Sequence, residues 1–190
     1  MHEYIEDVKK AVEVMRKGGI ILYPTDTIWG IGCDASNSAA VRRIFELKRR
    51  SDSKSMLSLI DSDAKLGYYV PDIPDVAYDL MDLAEKPLTI IYDNVRHMAP
   101  ELIAEDGSAG IRVTREEFSR ELCRRMGGAV VSTSANISGE PSPANFGEIS
   151  DVIRKGVDYI VEYRQSEQTR SVASGIIKLG SGGLVKVIRE

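Results

Sequence analysis

Short apolar, β-branched runs alternate with amphipathic helical stretches along this chain, and that alternation restricts it to a layered α/β architecture. Ile5, Val8, Val12 and Met15 recur at helical spacing, and Gly18-Gly19 supply a stop after Lys17. Ile20-Ile21-Leu22-Tyr23 predicts a compact strand closed by Pro24. Val41, Ile44, Phe45 and Leu47 mark a helix opening near Asn37-Ser38, so strand and helix make a βα unit. Met56 to Ile60 and Leu88 to Tyr92 predict strands, with a helix over Val76 to Leu83 between them. Thr114-Arg115-Glu116-Glu117 has the spacing of a capping box, so a helix is expected from there to about Met126, before Gly127-Gly128. Ala129 to Ser132 predicts a buried strand. A helix after Phe146 and strands near Tyr159 to Val161, Ser174 to Leu179 and Leu184 to Ile188 complete an α/β fold with a mixed sheet.

A chain of 190 residues suits one domain that buries about 70% of its unfolded surface. No apolar stretch approaches the roughly 18 residues that span a bilayer. The acidic start, Met1-His2-Glu3-Tyr4-Ile5-Glu6-Asp7, has no apolar core of a signal peptide, so a cytoplasmic protein without membrane contact is expected. The Asn136-Ile137-Ser138 sequon carries little weight without such a signal. Cys33 and Cys123 lie far apart with no ligand spacing and no histidine cluster, so they read as structural thiols and no protein-held metal is expected. The imidazoles are His2 and His97, which leaves a hydrolytic triad resting on His97.

Four stretches place polar groups or glycine where plain core or plain turn is the simpler expectation. Tyr23-Pro24-Thr25-Asp26-Thr27-Ile28-Trp29-Gly30-Ile31-Gly32 presents hydroxyls and backbone N–H groups at a strand end, where α/β sheets bind ligands, and fits an inert turn with Asx-type bonds equally well. Within it Gly30-x-Gly32-x-x-Ala35 matches a dinucleotide fingerprint, but Arg49-Arg50 stand where that site needs an acid. Between 42 and 54, six basic residues face Glu46 and Asp52, a local +4 inside a chain of net charge −4. Lys48 and Arg50 there suit a triphosphate, since a helix C-terminus explains one or two of these cations but not the continuation to Lys54. Ser132-Thr133-Ser134-Ala135-Asn136-Ile137-Ser138-Gly139-Glu140-Pro141-Ser142-Pro143 offers donors and acceptors without charge, as a ligand loop or an inert one. In Ser108-Ala109-Gly110-Ile111-Arg112 the arginine suits a substrate carboxylate, and a surface ion pair is the simpler reading.

In this order and spacing, Tyr-Pro-Thr-Asp-Thr-x-x-Gly-x-Gly, Lys48-x-Arg50 and Ser-Thr-Ser134-Ala-Asn136-x-Ser-Gly resemble the YrdC/Sua5 family of threonylcarbamoyl-adenylate synthases, from about Gly18 to Arg189. The resemblance implies a single YrdC-like α/β domain over residues 1–190, with a twisted mixed parallel/antiparallel sheet and flanking helices around a basic cleft. The implied reaction condenses L-threonine, bicarbonate and ATP into threonylcarbamoyl-AMP and pyrophosphate, for the threonylcarbamoyladenosine of tRNA. Magnesium would come with the nucleotide, and downstream threonylcarbamoyl transferase proteins would receive the product. Carried over by position, Lys48, Arg50, Ser134 and Asn136 form the catalytic set. With Lys54, Ser108, Ser142 and Arg189 they bind the nucleotide. Thr27, Arg112, Ser132 and Ser174 would bind threonine, Arg112 through its carboxylate. The chain departs from the family pattern at Trp29, Ser51, Lys86, Thr114, Gly175 and Lys178. The alternative is a non-catalytic module that binds tRNA or double-stranded RNA, or matures ribosomes, with the same cleft. Clustering of the cations beside a Ser/Asn-rich loop favours the enzyme, because an RNA-coating face spreads its charge.

Overall fold

The computed structural model describes residues 4–50, 56–180 and 182–190. Six α-helices among them are α1 (Ile5–Arg16), α2 (Ser38–Leu47), α3 (Leu66–Tyr69), α4 (Val76–Leu83), α5 (Glu117–Met126) and α6 (Asp151–Gly156). The strands are β1 (Ile21–Tyr23), β2 (Gly30–Gly32), β3 (Leu57–Ile60), β4 (Leu88–Tyr92), β5 (Ala109–Val113), β6 (Val130–Ser134), β7 (Tyr159–Ile160), β8 (Gly175–Leu179) and β9 (Val185–Arg189). They form one sheet in the order β7-β1-β2-β6-β3-β5-β4-β8-β9. The pairs β1–β7, β3–β5 and β4–β8 are parallel and the remaining neighbours antiparallel, so the sheet is mixed as expected.

The helices start and stop where local chemistry directs. Asn37 caps α2 by accepting the Ala40 N–H at 3.0 Å, and Gly127 ends α5 with φ of 76°, a left-handed conformation that glycine adopts without strain. α5 lays Phe118, Leu122 and Cys123 into the core and packs against α1. Burying each of the two large side chains contributes roughly 1.5–3 kcal/mol. Both cysteines are buried free thiols whose pKa values burial pushes up, in keeping with a structural role.

Two expectations need correction. The capping box does not form: Glu116 is the cap, its carboxylate accepting the N–H groups of Phe118 at 3.1 Å and Ser119 at 2.8 Å. Thr114 instead donates its N–H to Ile60 O at 3.0 Å and shares a 2.8 Å hydrogen bond with Ser119. The expected βα unit is interrupted by β2, which pairs back on β1 as a hairpin. The helix expected after Phe146 is α6, preceded by a 3₁₀ turn at Phe146–Glu148.

Gly30-Ile31-Gly32 is therefore a strand and not a phosphate-binding turn. A Cβ at Gly32 would stand 2.5 Å from Tyr23 Cε1 and 2.5 Å from Val131 O, so glycine is required by close packing. Gly32→Ala is expected to lower stability by about 1–3 kcal/mol in denaturant unfolding, because the clash includes a backbone oxygen that cannot swing away.

β2 and β9 are six positions apart in the strand order, roughly 29 Å in a flat sheet. Residues of both strands line one small cavity, together with residues of β3, β5, β6 and β8. The sheet is strongly curled, and its concave side gathers side chains from distant parts of the sequence.

Candidate active site

The concave side holds a cavity of about 130 Å³ lined by Thr27, Trp29, Gly30, Arg50, Arg112, Ser132, Ser134, Ser142, Ser174 and Arg189, among others. A more open depression of about 390 Å³ adjoins it, lined by Lys48, Arg49, Arg50, Ser134, Asn136, Ser138 and Gly139. Arg50 and Ser134 belong to both. Among the described residues no carboxylate lines either one, so the walls supply cations and neutral donors without a competing acid. The first is far below the ~300 Å³ of a pocket for a drug-sized ligand and suits a very small molecule.

Lys48 follows directly on the C-terminus of α2 and is 1% exposed. Its ammonium donates to Ser134 O and, at 2.8 Å, to Asn136 O, while Lys48 O accepts the Ser138 N–H at 2.9 Å. The end of α2 and the loop after β6 are thus locked together, which sets the loop's shape. Burial pulls the Lys48 pKa down to about 8, and the nearby charge of Arg50 adds to the shift. The Asn136 amide donates to Glu140 O at 2.7 Å, whereas Asn136 Oδ1 and Ser138 Oγ are buried without hydrogen-bond partners among the described residues. Buried polar atoms left so are costly unless a ligand completes them.

On the other side of the cavity Arg112 stands in β5, 2% exposed. It is no surface ion pair: Nη2 lies 2.8 Å from Asp26 Oδ1, and both side chains are nearly buried. Its contacts to Thr89 Oγ1 at 3.4 Å and Thr27 Oγ1 at 3.3 Å are long, and Nε has no hydrogen-bond partner. Burial pushes the Asp26 carboxyl up while the Arg112 charge pulls it back. The turn carrying Asp26 is a tight hydroxyl-bonded one. Thr25 Oγ1 donates to Ile28 O at 2.8 Å and accepts the Thr27 N–H at 3.1 Å. Arg164 clamps the same turn by donating to Thr25 O at 3.0 Å.

Ser174 is fixed by a 2.8 Å hydrogen bond with Thr89, and its carbonyl accepts Arg189 Nε at 2.8 Å. Arg189 is pulled below the usual arginine range by burial and by the like charge of Arg112. Trp29 packs on Phe146 with ring centroids 4.9 Å apart, and Arg154 lies over that ring at 4.5 Å.

Ten of the twelve residues singled out in the sequence therefore meet at the two cavities. Ser108 is not brought there: its hydroxyl and N–H both donate to Asp106, which pairs with Lys178 at 2.6 Å. Lys54 lies outside the described residues. His97 stacks on Tyr68 at 4.2 Å, lines neither cavity, and forms no triad. Sequence reasoning missed Asp26, Thr89 and Arg164 as site partners. For Asp26 a signal existed, an acid between two threonines at a strand end, but nothing local indicates its partner.

Comparison with known proteins identifies the family. Residues 13–190 match the Sua5/YciO/YrdC family model, described as "Telomere recombination". The chain is similar to the threonylcarbamoyl-AMP synthase of Idiomarina loihiensis, at 31% identity over 82% of this chain and 86% of the relative. It is also similar to that of Stenotrophomonas maltophilia, at 35% identity over 80% of this chain and 83% of the relative. A solved structure of a doubly substituted P. abyssi Sua5 superposes with a TM-score of 0.86 at 25% identity. That alignment covers 98% of this chain but 57% of the Sua5 chain, so the protein described here spans little more than half of that relative's length.

Proposed function

The chain belongs to the Sua5/YciO/YrdC family, and from this premise we propose that it acts as a threonylcarbamoyl-AMP synthase, condensing L-threonine, bicarbonate and ATP to threonylcarbamoyl-AMP and pyrophosphate. The observation that carries the reading onto this chain is the buried Arg112 with an unpartnered Nε–H, beside a small cavity that opens into a second one free of carboxylates. A substrate carboxylate would pair with the Arg112 charge at the cavity wall. Thr27, Ser132 and Ser174 offer hydroxyls for the rest of the amino acid, and Lys48, Arg50, Ser134 and Asn136 receive the nucleotide phosphates.

The chemistry asks for placement and charge neutralisation and needs no side-chain nucleophile. The threonine amine adds to carbon dioxide with loss of a proton, or to bicarbonate with loss of water, and the resulting carbamate oxygen attacks the α-phosphorus as pyrophosphate leaves. Arg50 and Arg189 border the cavity where that charge develops. One guanidinium about 4 Å from a phosphate oxygen contributes up to about 4 kcal/mol at intermediate dielectric, before desolvation. Among the described residues no group of three or more His, Cys, Asp or Glu is placed to hold a metal ion. Magnesium carried by the triphosphate fits the hard, unpartnered oxygens of Asn136 and Ser138, and it would offset phosphate charge there.

The RNA-binding alternative draws its charge from the 42–54 cluster, but Arg42 is held by Glu101 at 2.6 Å and Arg43 by Asp158 at 2.8 Å. What stays beside the loop is a local set suited to one polyphosphate. The proposal places the protein in the cytoplasm, handing the adenylate to tRNA-modifying transferase proteins. No helix among the described residues is long and apolar enough to cross a membrane.

Incubation with ATP, threonine and bicarbonate should give pyrophosphate release that depends on threonine. A folded protein that binds ATP and releases none overturns the proposal. ATP affinity should also weaken as pH rises through about 8, where the buried Lys48 loses its proton. Bound phosphate favours the charged amine, so binding takes up a proton between about pH 8 and the ordinary lysine value near 10.5, measurable by calorimetry in two buffers of different ionisation heat. The unfolded chain holds that proton through the same window. The stability cost of burying charged Lys48 is therefore full below about pH 8 and relieved as pH rises above it.

A further inference from the structure

We propose that Asp26 is a positioning residue of the amino-acid pocket: its carboxylate lies against Arg112 Nη2 and so holds the guanidinium in place to meet an incoming α-carboxylate. The inference rests on the amino-acid reading of the cavity and goes beyond it, because Asp26 lines the neighbouring cavities and not the pocket itself.

Three observations converge. Among the described residues the 2.8 Å approach of Asp26 Oδ1 is the closest contact of the Arg112 guanidinium, an ion pair without hydrogen-bond alignment, since those to Thr27 and Thr89 are 3.3 and 3.4 Å. Without Asp26 only those two long contacts and no opposite charge would hold the group in place among the described residues. Asp26 is itself placed by its neighbours: Thr25 closes the turn on Ile28 O, and Arg164 holds Thr25 O from the segment after β7. Finally, Arg112 and Arg189 line the same cavity, and their like charges act on each other. A carboxylate behind Arg112 offsets one of those charges, which lets the buried Arg112 guanidinium stay ionised beside Arg189.

Calorimetric titration of threonine and of ATP, separately, into the wild type, Asp26→Asn and Asp26→Glu tests this, with threonine KM and kcat measured alongside. The expected result for Asp26→Asn is threonine binding weakened by roughly tenfold or more, the size of one charge-assisted contact, with ATP binding changed less than about twofold. The threonine KM should rise more than kcat falls. Asp26→Glu keeps the charge and should recover part of the affinity. A folded Asp26→Asn that binds threonine as the wild type does overturns the inference. So does loss of threonine and ATP binding together, or failure of both variants to fold, since the role is then structural. A wild type that binds ATP but no threonine overturns the amino-acid reading and this inference with it.

Discussion

Arg112→Ala is expected to lower kcat/KM for threonine by about a hundredfold or more and to reduce stability by roughly 3–5 kcal/mol, because it removes the carboxylate anchor and strands a buried acid. Asp26 pairs with Arg112 at 2.8 Å and is largely buried, so its ionised form has no comparable partner once the guanidinium is gone. The two losses are separable. Adding Asp26→Asn to Arg112→Ala should restore much of the stability, since an amide tolerates burial better than an unpaired charge, yet should restore none of the activity. Denaturant unfolding and threonine-dependent pyrophosphate release measure the two arms. Activity near the wild-type level in Arg112→Ala would remove the carboxylate from this end of the cavity.

The second large effect concerns Lys48. Lys48→Ala should cut pyrophosphate release by about 10²–10³, the size seen when one preorganised charge donor is lost from an active site. It also leaves Ser134 O and Asn136 O without their donor, at about 1–3 kcal/mol of stability for an unsatisfied buried group. Lys48→Arg keeps the charge but should not rescue. A planar fork does not fit a fully buried position that directs a compact ammonium at two carbonyls of one loop. Circular dichroism should show the fold retained in both variants, and normal turnover in Lys48→Ala would refute its place in the site.

The course of the helices was legible because their signals are local. Val76–Leu83 is α4 to the residue, Asn37 caps α2 through its side chain, and Gly127 ends α5 through its left-handed backbone. β2 was not legible, since Gly-Ile-Gly carries almost none of the β-branched and aromatic content that marks a strand, and its glycines answer to Tyr23 and Val131 across the sheet. The capping box failed for a similar reason: Thr114 has the right spacing, but its N–H extends the β3–β5 pairing through Ile60 O, so the helix starts after Glu116. Within the site, motifs named the residues of the Lys48 and Ser134–Asn136 cluster, because spacing in a loop survives into space. The Asp26–Arg112 pair could not be named that way. It joins a turn after β1 to the middle of β5, and only the curl of the sheet brings them together.

The position of β6 has a consequence for how the chain acquires its structure. It lies between β2 and β3 in the sheet, though about 70 residues of chain separate the end of β3 from its start. Until β6 docks, the β1–β2 hairpin and the β3–β5–β4 group each keep an open edge, with unpaired N–H and C=O groups facing a missing neighbour. Joining them means closing a long loop before its contacts repay the lost entropy, the condition under which folding is slow. During synthesis those edges are the places where another nascent chain can pair in β6's stead. The ribosome must deliver residues 130–134 before the Lys48 side can meet the Arg112 side, so docking of this strand is the step at which misassembly competes with the native sheet.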